Sequence, residues 1–242
     1  MEKKNEIKGR FILLCLKERA PKYDPVLSGI SHEIIIVDNI ELLIRNCIAE
    51  PPDGALIDMV SGARIGASNM ALLDNLNMDW PIIRCNVSAD GSVRVMHKEF
   101  DQSPMLSQAL DSIVKKASVK ETPQSKCRHI RIKIRCRVRL LVPKDGKWRM
   151  ANVLNLSMGG AFIHTYDPPQ IGETVLLEFR DLVVNPLKCQ AQVAWVRRWE
   201  DSDRFPGVGV AFQTNTFEPG LQKALEDFLV NSFFKARTFF EI

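Results

Sequence analysis

The sequence predicts two domains: an α/β unit built on a mainly parallel sheet, then a six-stranded β-barrel with a terminal helix. Three observations predict this. In the first half, short apolar runs without alternation are separated by segments of helical spacing, the pattern of strands buried on both faces and joined by helices. In the second half, Ile130, Ile132, Ile134, Cys136, Val138 and Leu140 alternate with Arg131, Lys133, Arg135, Arg137 and Arg139, a period of two that marks a strand with one core face and one solvated face. Between them, KKASVKETPQSK (Lys115–Lys126) is rich in Lys, Ser, Thr and Gln, with little to bury. The expected bounds are 1–118 for the α/β domain, 119–127 for a linker and 128–242 for the barrel.

In the first half, FILLCL and EIIIVD (Glu33–Asp38) read as strands, and IELLIRNCIA (Ile40–Ala49) as a helix with Ile40, Leu43, Ile44, Cys47 and Ile48 on one side. GALIDMV (Gly54–Val60) reads as a third strand, SNMALLDNLNMDW as a helix with Ser68 as N-cap, and PIIRCNV (Pro81–Val87) as a fourth strand. A tight turn at Ala89-Asp90-Gly91 leads to a strand SVRVMHKEF, and Ser103 to Lys116 forms an amphipathic helix. In the second half, WRMANVLNLS, AFIHTY, TVLLEFR, KCQAQVAWVRRW and GVGVAFQ follow the basic strand. Gly220 to Phe240 reads as a helix with Leu221, Leu225, Phe228, Leu229 and Phe233 inward.

Composition bounds the function. The chain has 242 residues, 45% hydrophobic and 26% charged, an ordinary balance for a globular protein. No apolar run has the length of a membrane span, and the amino-terminal patch Phe11 to Leu16 is followed at once by charges; a cytoplasmic location is expected. The six cysteines are scattered, without C-x-x-C or zinc-ligand spacing, so neither a disulfide framework nor a metal is expected. The net charge of +4 divides unevenly: residues 1–120 carry 15 basic against 16 acidic side chains, and residues 121–242 carry 18 against 13. Lys126 to Arg139 holds seven basic residues and no acid, so an anionic partner is expected there. No nucleophile–base pair stands out, so no enzyme is expected.

The stretch NVLNLSMGGAFIHT (Asn152–Thr165) places an Asn, a Ser and two glycines between two strands. It admits two readings. One is a tight turn, in which Gly supplies positive φ. The other is an anion or nucleotide seat with exposed backbone N–H groups and an exposed Ser157 hydroxyl.

The second half, over residues 124–235, resembles a PilZ domain, the bacterial receptor module for cyclic di-GMP. NLSMGG resembles the family motif [D/N]-x-S-x-x-G, with Asn155, Ser157 and Gly160 at its key positions, and the late strands resemble the family's with Trp195 and Phe212 as barrel residues. The family's R-x-x-x-R motif is met with a departure. With Arg131 as the second arginine, Cys127 takes the first position, and Arg128 or Lys126 stands in; the literal spacing Arg131–Arg135 lies further into the strand. The resemblance implies a cyclic di-GMP site at Lys126, Arg128, Arg131, Arg135, Asn155, Ser157, Gly159 and Gly160, an unidentified protein effector, and ligand-dependent change in how the domains are arranged. The first half resembles a response-regulator receiver domain with Asp58 where the phosphorylated Asp would be and Lys98 after the last strand. It departs in lacking the acidic pair that holds Mg²⁺, in carrying Asn86 where Thr or Ser is expected, and in missing one helix, so an unphosphorylated scaffold is expected. The alternatives to a cyclic di-GMP receptor are a ligand-free PilZ adaptor, suggested by Cys127, and, ranked last, a nucleic-acid binder using the basic strand, which lacks interleaved aromatics. Oligomeric state is left open.

Overall fold

The computed structural model describes residues 8–66, 69, 71, 81–96, 105–119, 129–182, 186–201 and 205–235. The chain divides into two compact units, residues 1–128 and 129–242. The helix expected around Ser68, the Lys98 position, residues 120–128 of the join (including Lys126, Cys127 and Arg128) and the last residues of the terminal helix lie outside the described residues.

The first unit is a five-stranded sheet in the order β2-β1-β3-β4-β5. Its strands are β1 (Arg10–Leu14), β2 (Glu33–Val37), β3 (Gly54–Asp58), β4 (Ile82–Val87) and β5 (Val93–Met96). The first four are parallel and β5 pairs antiparallel with β4. The β4–β5 turn closes with Gly91 at φ 81° and the Ser88 amide donating to the Ser92 carbonyl at 2.8 Å. On one face Phe11, Leu13, Leu56, Ile83, Cys85 and Val95 pack with Leu106, Ala109, Leu110 and Ile113 of α4 (Leu106–Val119). On the other, α2 (Ile40–Ala49) buries Leu43, Ile44, Cys47 and Ile48 against β1. Asn39 caps α2 by accepting from the Leu42 amide at 2.9 Å, as a helix start with unpaired N–H groups requires.

One connection gains structure for which the sequence pattern offered no reading, and one expected strand is shorter. The connection after β1 folds as a 3₁₀ turn (Ala20–Lys22) and a one-turn helix α1 (Asp24–Leu27). GALIDMV does not stay extended to Val60: β3 ends at Asp58, whose carboxylate accepts from the Ser61 amide at 2.8 Å and so starts α3 (Met59–Ile65). The apolar Met59 and Val60 fit either periodicity, and the cap decides.

The second unit is a closed barrel in the order β10-β11-β8-β7-β6-β9, antiparallel throughout. Its strands are β6 (Ile132–Leu141), β7 (Trp148–Ser157), β8 (Gly160–His164), β9 (Thr174–Phe179), β10 (Leu187–Arg197) and β11 (Gly207–Phe212). Closure leaves no free edge. The barrel interior is filled by Val138, Leu140, Val153, Leu156, Ile163, Val175, Leu177, Val193 and Val208. α5 (Leu221–Lys235) buries Leu221, Leu225, Leu229 and Val230, whereas the expected inward Phe228 and Phe233 are half-buried.

Glycine is needed where β8 meets β11. A Cβ on Gly160 would collide with the Val210 carbonyl oxygen, a backbone atom that cannot swing aside. Gly160→Ala is therefore expected to destabilise the barrel by about 1–3 kcal/mol, the usual cost of overpacking. Urea denaturation, following the barrel transition without any ligand present, measures it.

Candidate functional site

The NLSMGG hairpin joins β7 to β8, with Ser157 paired to Gly160 and a two-residue turn, Met158–Gly159, between them. Neither glycine of this turn has positive φ. The turn reading was thus right about the turn and wrong about the reason for its glycines, which is close approach: Gly160 to β11, and Gly159 to a side chain. The expected exposed hydroxyl is also corrected. Ser157 is 3% exposed and its Oγ donates to the Gly160 carbonyl at 3.0 Å, so it pins the turn from within.

The outer face above this turn is more informative. Directly paired residues share a face, and five of them form a row across five strands: Lys133 on β6, Asn155 on β7, Phe162 on β8, Gly209 on β11 and Trp195 on β10. Three β-bulges adjoin this row, between Lys133 and Cys136, between Val153 and Asn155, and between Val193 and Trp195. A bulge inserts one residue and re-aims its neighbours. The one beside Asn155 matters most: Val153 and Leu156 both point into the barrel, so Asn155 is turned outward between them.

The aromatic end of the row is a built platform. Phe162 and Trp195 stack with ring centroids 5.1 Å apart and planes within 6°, and the Arg197 guanidinium lies 4.9 Å and 5.3 Å from the two centroids. The indole lies flat because Gly209 beneath it has no side chain; a Cβ there would collide with the Trp195 ring. Phe162 is 5% exposed, so Trp195, which a base can stack on, and the Arg197 guanidinium, which attracts an anion, are the parts of this stack that a flat, anionic partner would meet. Beyond it, a second paired row carries Arg137, Asn152, His164, Gly207 and Arg197.

Of the expected site residues, Arg131 and Arg135 are exposed on or beside the first strand, Asn155 is half-buried on the outer face, and Gly159 and Gly160 hold the turn. Arg137 is engaged by Asp181, with Nη2 2.9 Å from the carboxylate. Trp148 lies under Arg139 at 4.8 Å, and Trp199 is 56% exposed and packs on Tyr166 at 6.2 Å. Sequence reasoning missed Lys133 and Phe162, whose signal was their cross-strand pairing with Asn155, and treated Trp195 as a barrel residue without an outer face. In GVGV the second glycine, Gly209, is the visible trace of the indole lying over β11, whereas Gly207 yields to the Ile163 carbonyl of β8. Among the described residues no group of three or more His, Cys, Asp or Glu could hold a metal ion.

Residues 125–231 match the family model of the PilZ domain. The match falls almost wholly on the second unit and covers less than half of the chain. No curated protein matches the chain. Solved structures similar to it include the PilZ domain with cyclic di-GMP of YcgR from Escherichia coli (17% identity, 48% of this chain and 98% of that one, TM-score 0.39). The Bacillus subtilis inhibitor of motility MotI/DgrA is another (12% identity, 63% and 73%, TM-score 0.39). A third is Borreliella burgdorferi PlzA in complex with cyclic di-GMP (15% identity, 52% and 49%, TM-score 0.36), about half of whose length the chain spans.

The PilZ match begins at residue 125, so the first unit stands on its own geometry. There Asp58, at the carboxyl end of the central β3, is fully buried. One carboxylate oxygen accepts from Arg19 Nη2 at 2.8 Å and Tyr23 Oη at 2.7 Å; the other accepts from Arg19 Nε at 2.7 Å, Ser61 N at 2.8 Å and Ser61 Oγ at 2.6 Å. Arg19 also donates to Asn86 Oδ1 at 3.1 Å. Burial alone would raise the Asp58 pKa, but the bonds from Arg19, Ser61 and Tyr23 outweigh it and hold it at about 2, against an ordinary 3.8. With its acceptor sites filled and a guanidinium in place as its countercharge, this carboxylate is a structural tie between the β1–α1 connection and β3. Asp58→Asn leaves the Arg19 charge without its partner and is expected to destabilise this unit by about 3–5 kcal/mol. The sign in pH follows from the depressed pKa: the tie is fully present above pH 3.8 and lost as pH falls through about 2. Acid titration of the unfolding transition in both proteins checks this, and acetyl phosphate with Mg²⁺ is expected to leave the mass of the native chain unchanged.

Proposed function

We propose that the PilZ domain binds cyclic di-GMP on the outer face of the barrel, at the row running from Lys133 and Asn155 to Trp195, and that the chain is a non-enzymatic signalling protein. The observation that carries this reading is the row itself, which sets an ammonium, an amide and a stacked aromatic pair under the Arg197 guanidinium side by side in a segment matched to PilZ. Each feature answers part of the ligand. Guanine offers O6 and N7 to a planar fork of donors, which Arg131 or Arg128 supplies. Its ring stacks on the platform, and its phosphates meet Lys126, Arg135 and Lys133. Asn155 bonds a guanine edge or a phosphate. Ser157 and Gly160 act through the shape of the turn, and Gly159 presents backbone at its tip.

Because Lys126 to Arg131 joins the two units in the chain, a ligand held there acts on the join itself. This is the proposed route to a protein effector, in the cytoplasm. The second reading is a ligand-free adaptor, favoured by Cys127 at the first arginine position of the family motif.

Calorimetric titration with cyclic di-GMP separates the readings; the adaptor predicts no heat of binding. Arg131→Ala is expected to weaken binding by about 1.5–3 kcal/mol, the worth of a charge-assisted hydrogen bond, and Trp195→Ala by about 1–3 kcal/mol, the worth of one stacked base. Arg137→Ala is expected to leave affinity unchanged, since Asp181 already holds that guanidinium. Equal losses at Arg131 and Arg137, with affinity falling steeply with salt, would instead indicate nucleic acid.

A further inference from the structure

We propose that His129 is a positioning residue whose ring, seated on Gly159, clasps the arginine-bearing approach to the β7–β8 turn and so sets where Arg131 stands relative to Asn155. The inference rests on the binding reading above. Its basis is the space at Gly159. A Cβ built there would lie 2.6 Å from His129 Cδ2 and 3.1 Å from Nε2, and within 4 Å it meets the imidazole ring first. Gly159 has no positive φ, so its backbone would accept alanine; what excludes a side chain is the ring.

The ring is held as an apolar plate. Its Nδ1 is buried without a hydrogen-bond partner among the described residues. Burial, and then the charge of Arg131, lower its pKa, so it is neutral near pH 7. The next residue, Ile130, is 7% exposed. The approach is therefore fixed by two successive side chains, one on the turn and one buried, immediately before Arg131 comes out to solvent. Ile132 and Lys133 then pair with Leu156 and Asn155, which carries this registration directly into the proposed site. Presenting the arginine and the amide already in place removes an ordering cost from binding.

The test is a cycle of His129→Ala, Gly159→Ala and the double variant, read two ways in the full chain. Amide hydrogen exchange of residues 130–133 is measured without ligand, and affinity is measured by titration with cyclic di-GMP. Each single variant is expected to speed exchange and weaken affinity roughly five- to thirty-fold, the factor for one to two kcal/mol. Adding Gly159→Ala to His129→Ala is expected to cost nothing more, because the obstructing ring is gone. His129→Phe, which keeps a flat ring and drops a nitrogen that has no partner, is expected to restore both readouts. Additive losses, or His129→Ala leaving exchange unchanged, overturn the clasp. If Gly159→Ala does not fold but the double variant does, the ring is again shown to be the obstacle; if neither folds, the proposal fails. A wild-type protein that shows no binding defeats the proposed function, while the exchange cycle still decides whether the clasp exists.

Discussion

Closing six antiparallel strands on themselves is the constraint from which the second unit's chemistry follows. A closed sheet must coil, and bulges supply the local twist. Here three of them adjoin one outer row, at Lys133, Asn155 and Trp195. Without the inserted residue in β7, the alternation that buries Val153 would also turn residue 155 inward. The outward amide of Asn155 is thus a product of barrel geometry, and the same geometry lays the Trp195 indole over Gly209. Site and scaffold share one set of distortions.

The first unit shows a different economy. Its central carboxylate stands at the carboxyl end of a parallel strand, a location where open α/β sheets often place their chemistry. Five hydrogen bonds, two of them from a bidentate guanidinium, convert it into a joint. The connection after β1, which the hydrophobic pattern left without regular structure, folds as it does because Arg19 and Tyr23 both reach Asp58. A charge pair between residues 39 positions apart leaves no trace in local periodicity.

Much of the architecture was legible in the residues. The alternation from Ile130 to Leu140 gave β6 and its buried face, and the non-alternating runs gave the parallel strands, because burial on one face or two writes a different period. The boundary after Asp58 was not legible, since Met and Val suit either element and a single capping bond decided between them. At the candidate site, Asn155, Ser157 and the glycines were found by their spacing, but their roles were not: Ser157 faces inward and Gly160 is occupied by strand packing. Lys133 and Phe162 join Asn155 only through register, which two bulges shift by one residue each. His129, a lone histidine in the sequence, acquires meaning only from the glycine beneath it.

The two adjacent glycines of NLSMGG answer to different masters. Gly160 has a carbonyl oxygen of the neighbouring strand where its side chain would be, whatever the barrel binds. Gly159 has the ring of His129 where its side chain would be. In a lineage that abandoned the ligand, drift would reach Gly159, His129 and Asn155 well before Gly160, and a partial motif would outlive the activity it is used to diagnose. The informative comparison among diverged copies is therefore whether the first glycine and the histidine change together, since the second glycine marks only the barrel.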